Sequence, residues 1–138
     1  MINIQLLGPT ASVSLTLNER AVCINEPSAW VFWIENQQTG QTTVFTSPDL
    51  AVQNGSRFNQ FQWRSVDSSE EDLLNGLVHF TQSGTWNYVA YQFAQSSLPD
   101  LDLSNAVAEV ERGLLTVSQP VSLPTFTQFQ STIQAFNS

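Results

Sequence analysis

The sequence predicts an all-β domain, a Greek-key β-sandwich of about seven strands with one short helix and a C-terminal tail. Three observations predict it. Apolar and polar residues alternate with a period of two in several short runs. Turn residues recur between those runs at the spacing of a sandwich. No run at helical spacing is long enough to supply the crossover helices of a parallel sheet. The chain has 138 residues, the length of one domain able to bury a core without disulfides or metal. The sandwich is assigned to residues 1–118 and an extended or helical arm to 119–138.

The elements follow in order. A short strand is expected at Asn3 to Leu6. Ser12 to Leu17 alternates, with Val13, Leu15 and Leu17 on one face. Trp30 to Glu35 is denser: Trp30, Phe32 and Ile34 share one face, and Val31, Trp33 and Glu35 the other. Asn36 to Gly40 reads as a turn, because Gly40 supplies permissive backbone. Gln41 to Thr46 returns as a strand that Pro48 ends. Phe58 to Ser65 is the next, with Phe61 and Trp63 on one face. Asp67 to Asn75 breaks the alternation. Ser69 with Asp72 resembles a capping box, Glu70 and Glu71 fall in a first turn, and Gly76 can end a helix, so one short helix is expected. Leu77 to Phe80 resumes β structure. Gln82, Ser83 and Gly84 turn the chain into Thr85 to Phe93, where Trp86, Tyr88 and Ala90 face one way. A loop with Pro99, Asp100 and Asp102 leads to the last long strand, Ala106 to Ser118.

A corner favours an immunoglobulin-like sandwich over a jelly-roll. In immunoglobulin-type folds an aromatic near the start of a late strand locks the preceding turn. Gly84, two residues before Trp86, occupies the matching place, with Trp standing where that corner carries Tyr.

The tail reads as a separate unit. Pro120 and Pro124 stiffen the connector. Phe126, Phe129, Ile133 and Phe136 then follow at spacings of one helix face. A helix this short is marginal alone, so its stripe needs a surface. Two are open to it: a groove on a neighbouring subunit, or the chain's own sandwich.

Composition narrows the function. Charged residues make up 12% and hydrophobic residues 41%, so the chain is globular with an unusually uncharged polar surface. Such a surface is cheaper to desolvate than an ionic one. The net charge of −8 opposes phosphate binding by counterion release and opposes anionic membranes, so neither nucleic acid nor membrane is expected as a partner. No signal peptide or apolar span of membrane length is expected either.

Candidate chemistry is sparse. His79 is the sole imidazole, in the apolar run Leu77 to Phe80, and reads as a strand histidine facing solvent or a polar neighbour. Cys23 is the sole cysteine and reads as a small buried hydrophobe. No catalytic residue is assigned and no enzyme activity is expected. Asp100, Asp102 and Asn105 could offer oxygens to Ca²⁺ but lack the closing Glu of a calcium loop, so they read as a solvated loop. Asp67, Glu70, Glu71 and Asp72 read as a solvated helix start. No metal and no cofactor is expected. Trp30, Trp63 and Trp86 are assigned to the core. Trp33 shares its face with Glu35 and is the one residue assigned as a glycan-stacking candidate.

The stretch Gly84-Thr85-Trp86-Asn87-Tyr88-Val89-Ala90-Tyr91-Gln92, a loop with Leu101, and Val110-Glu111-Arg112-Gly113-Leu114-Leu115-Thr116-Val117 resembles small virion proteins of bacteriophages. The type is the auxiliary, or decoration, capsid protein of tailed phages such as the crAss-like group. The resemblance covers about Leu77 to Val117, with Gln92 where Glu is common. It implies a non-enzymatic structural protein of the virion, assembled in the host cytoplasm, that stabilises the capsid shell. Its partners would be the major capsid protein, other virion subunits or a second copy of the chain. The alternative, from the sandwich and Trp33, is a carbohydrate-binding module of a head fibre or tail.

Overall fold

A computed structural model of the chain describes residues 2–50 and 59–119. The described residues form two sheets. The strands are β1 (Ile2–Gln5), β2 (Ala11–Leu15), β3 (Ser28–Asn36), β4 (Thr42–Thr46), β5 (Asn59–Ser65), β6 (Leu77–Val78), β7 (Gly84–Ala94) and β8 (Ala108–Ser118). One sheet runs in the order β1-β8-β7-β3-β4 and the other β2-β5-β6. Strand β1 lies parallel to β8, and β6 parallel to β5; the other pairings are antiparallel. The chain passes between sheets after β1, β2, β4 and β6.

Alternation places the core. On the five-stranded sheet Trp30, Phe32 and Ile34 of β3, Phe45 of β4, Trp86 and Tyr88 of β7, and Leu115 and Val117 of β8 face inward and are buried. On the other sheet Val13 and Leu15 pair opposite Phe61 and Asn59 and face them. Four rings bridge the layers. Phe32 lies 5.0 Å from Phe61 and 4.7 Å from Trp63, and Phe45 lies 5.1 Å from Trp63, all measured between centroids. Two of the three are close to edge-on, the arrangement that ring quadrupoles favour. Trp63 Nε1 donates to Ser47 Oγ at 3.1 Å, so its one polar atom is satisfied inside the core.

The Asn36 to Gly40 turn closes as its residues dictate. Asn36 Oδ1 accepts the N–H groups of Gln38 and Thr39, and Gly40 takes a φ of +74°, which a side chain would disfavour.

Two expectations, the helix and the buried cysteine, need correction, and two further features lie beyond what alternation predicts. The helix expected over Asp67 to Asn75 is a single 3-10 turn, Ser68–Glu70. Asp67 accepts the Ser68 N–H, and Asp72 accepts those of Leu74. Leu73 and Leu74 are the segment's only apolar residues and are adjacent, so no helical stripe exists to dock, and the Asp side chains compete for backbone donors. Cys23 is exposed; it lies in the loop before β3, between Val22 and Ile24, and not on a core face. Strand β8 carries a bulge: Ala90 pairs with Glu111 and Tyr91 with Glu109, leaving Val110 as the extra residue. The bulge turns Val110 into the core beside Glu111, which the regular register already places on the inner side. Lastly, Val31, Val89 and Phe93 lie on the side of the sheet away from the core by register, yet are buried. The arm assigned to residues 119–138 lies outside the described residues from 120 onward.

Replacing Phe32 by Ala removes the ring shared by both layers. The expected cost is about 3–5 kcal/mol, read as a lower urea midpoint with an unchanged m-value.

Candidate functional site

The residues with catalytic potential are held apart and locally occupied. His79 follows β6; its Nδ1 lies 3.1 Å from the Val66 carbonyl oxygen, and its backbone N–H donates to Glu71 Oε2 at 2.9 Å. Cys23 lies in the connection to β3, beside Val22, Pro27 and Gln92. Among the described residues, no three His, Cys, Asp or Glu side chains converge as a metal site would require. Asp100 accepts the Asp102 N–H, and Asp102 accepts that of Ser104. The Ser104 bonds hold the Asp102 carboxyl below the usual range. These oxygens serve turns. No helix among the described residues is long and apolar enough to cross a membrane.

The outward side of the five-stranded sheet offers more. Trp30, Trp63 and Trp86 are buried, whereas Trp33 is partly exposed. Register places it in a row: Trp33 pairs with Val89, and Val89 with Arg112. The next row holds Glu35, Asn87 and Leu114. Together these six side chains line a shallow depression of about 450 Å³. Gln37 Nε2 donates to Asn87 Oδ1 at 3.0 Å. Glu109 pairs with Arg112 through Nε and keeps the guanidinium firmly protonated. Leu114 is 40% exposed. All the groups stand on adjacent strands, so their spacing is fixed by the sheet. Phe126, Phe129, Ile133 and Phe136 lie outside the described residues.

Beneath this face, residues of β7 and β8 form a second unit that sequence reading saw only as a pattern. Tyr88 pairs with Gly113, and its ring covers that glycine. A Cβ on Gly113 would stand 2.6 Å from Tyr88 Cε1 and 2.7 Å from its hydroxyl. Glu111, next on the inward row of β8 after Gly113, meets the Tyr88 hydroxyl. Arg20 Nη1 closes the set, 2.9 Å from Glu111 Oε1 and 3.3 Å from the Val110 carbonyl oxygen. Burial first, and then the Glu111 carboxylate, push the Tyr88 phenol up to about 12.

Gln92 ends the inward row of β7. It is buried, accepts the Val22 N–H at 2.8 Å and donates to both the Val22 carbonyl and Ser28 Oγ. A Glu at this position accepts but cannot donate at neutral pH, so the amide is what this neighbourhood requires.

Fold and site define a two-sheet all-β domain with a side-chain-lined patch on its larger sheet. No protein-family model, curated protein or solved structure matches the chain.

Two outcomes follow for the Tyr88 unit. Gly113→Ala is expected to destabilise the domain by about 1–3 kcal/mol, because the ring has to shift, and thermal unfolding measures it. Tyr88 keeps its proton in the folded state up to about 12, against an ordinary value of 10.0. Its contribution is therefore complete below pH 10 and falls as pH rises through 12, because only the unfolded state releases the proton in that window. Urea midpoints across this range should fall more steeply for the wild type than for Tyr88→Phe.

Proposed function

We propose that this chain is a non-enzymatic structural protein of a tailed-phage virion, an auxiliary or decoration capsid protein that attaches to the shell and stabilises it. The sandwich is read as Greek-key and immunoglobulin-like. Supporting that type are the repeated passages between sheets, the parallel β1–β8 edge and the Trp86 corner, where Nε1 donates to the Gln82 carbonyl at 3.3 Å.

One observation carries the virion reading. The residues that give the resemblance are physically one unit, since Tyr88 covers Gly113 and meets Glu111 across the β7–β8 pair. The likeness therefore falls on residues that contact one another across one strand pair.

Attachment proceeds by burial of polar but uncharged area. The outward row of the three-stranded sheet carries Ser12, Ser14, Gln60 and Gln62, groups that lose water at lower cost than ions. Weak contacts repeated around a symmetric shell add through effective concentration. The major capsid protein is the proposed partner, and the stripe Phe126, Phe129, Ile133 and Phe136 the proposed anchor. The net charge of −8 suits a position away from packaged nucleic acid.

Mass spectrometry of density-banded particles from cells carrying the gene is the test. Peptides of this chain at near-stoichiometric ratio to the major capsid protein are expected; absence from intact particles contradicts the reading. Deleting residues 125–138 is expected to leave the domain folded and to lower its occupancy on particles about tenfold or more, given anchors of about 2 kcal/mol each. Normal occupancy of the truncated chain removes the anchor role.

A further inference from the structure

We propose that the depression around Trp33 is a binding site for an uncharged hexopyranose unit of a surface glycan. This goes beyond shell attachment and does not depend on it, because it uses the opposite sheet from the Ser and Gln row.

The geometry commits the site to that ligand class. Three of the four tryptophans are spent on the core, while the fourth is held partly in water on the outward side of β3, next to the edge strand β4. Trp33 has Val44 beside it on β4 and Val89 beside it on β7. These flanks and the partly exposed indole make an apolar strip across three strands. An apolar platform of this kind suits the C–H face of a pyranose ring, as ring stacking combines apolar burial with a directed quadrupole.

The polar groups around it complete the match. Glu35, two residues along β3, brings an acceptor carboxylate. Asn87 is its neighbour across the ladder. The Gln37 amide occupies Asn87 Oδ1, which leaves the Asn87 NH2 group as the free end of that side chain and makes it a donor. Arg112 is engaged by Glu109 through Nε, which leaves its other N–H groups available as donors. Sugar hydroxyls both donate and accept, and the patch offers both roles on either side of the ring. The two rows lie about 7 Å apart along the strands and the outer strands about 10 Å apart across them. That area fits one or two pyranose rings.

Charge decides between sugar classes. Glu35 and Arg112 border the same depression, Arg112 is already paired with Glu109, and the chain carries −8 overall. A sialylated or sulfated glycan meets a carboxylate at close range and a long-range field of its own sign. A neutral hexose or N-acetylhexosamine meets neither.

The experiment is a glycan array holding neutral and sialylated oligosaccharides, probed with the full chain, followed by calorimetric titration of the best neutral hit. Trp33→Ala, Glu35→Gln and, as a control on the other sheet, Arg64→Ala are titrated in parallel, with thermal unfolding to confirm that each is folded. Binding to at least one neutral glycan is expected. Trp33→Ala should weaken it about tenfold or more and Glu35→Gln about threefold, with Arg64→Ala unchanged. Binding to no glycan, binding only to sialylated glycans, or equal affinity in Trp33→Ala overturns the proposal. Particle occupancy of Trp33→Ala separates this from the assembly reading. Unchanged occupancy is expected; a loss means that the face contacts protein, and the sugar site is rejected while shell attachment stands.

Discussion

The fold depends on the ring contacts by which Phe32 and Phe45 of one sheet meet Phe61 and Trp63 of the other. A sheet pair without disulfide or metal is held by the area its inner faces bury, and here four aromatics supply much of it at the centre. Their positions also fix register. A slip of one residue in β3 would turn Phe32 outward and bring Trp33 into the core. The same contacts that hold the layers together therefore set which tryptophan remains in reach of solvent.

Around that centre several buried polar groups are paired, although Asn36 Nδ2 and Glu111 Oε2 have no hydrogen-bond partner among the described residues. Asn59 is fully buried; its Oδ1 accepts the Leu17 N–H and its Nδ2 donates to Asp49 Oδ2. Gln92 ties the connection before β3 to β7, and Arg20, Glu111 and Tyr88 tie the end of β2 to β8. Each joins loop to strand, so the loops that cross between sheets are pinned by groups that would be costly to leave unpaired. The outward faces are free of this duty, and they differ. One is a row of Ser and Gln, the other a patch around a tryptophan.

The sequence made much of this legible, for a physical reason. Where one face of a strand is buried and the other wet, the period of two is strong, and Val13, Phe32, Phe61 and Trp86 all fall inward as their alternation requires. The signal fails where burial is two-sided or the period slips. Val31 and Phe93 are buried on the outer side, so alternation alone places them wrongly. The bulge at Val110 puts consecutive residues on one side, and nothing short of pairing reveals it. The segment after Asp67 carries helix-start residues but no apolar stripe, and capping groups without a face to dock make only a turn. Of the candidate site, Trp33 and Glu35 could be read from one strand. Asn87, Arg112 and Leu114 come from two others and needed the register.

Sheet packing consumes Trp30, Trp63 and Trp86 and leaves Trp33 partly exposed. Oxidative footprinting of the native chain, with each tryptophan resolved by peptide mass spectrometry, tests it most directly. Rapid oxidation is expected at Trp33, with protection at the other three until the domain unfolds. Protection of Trp33, or native-state oxidation of Trp63, would contradict it.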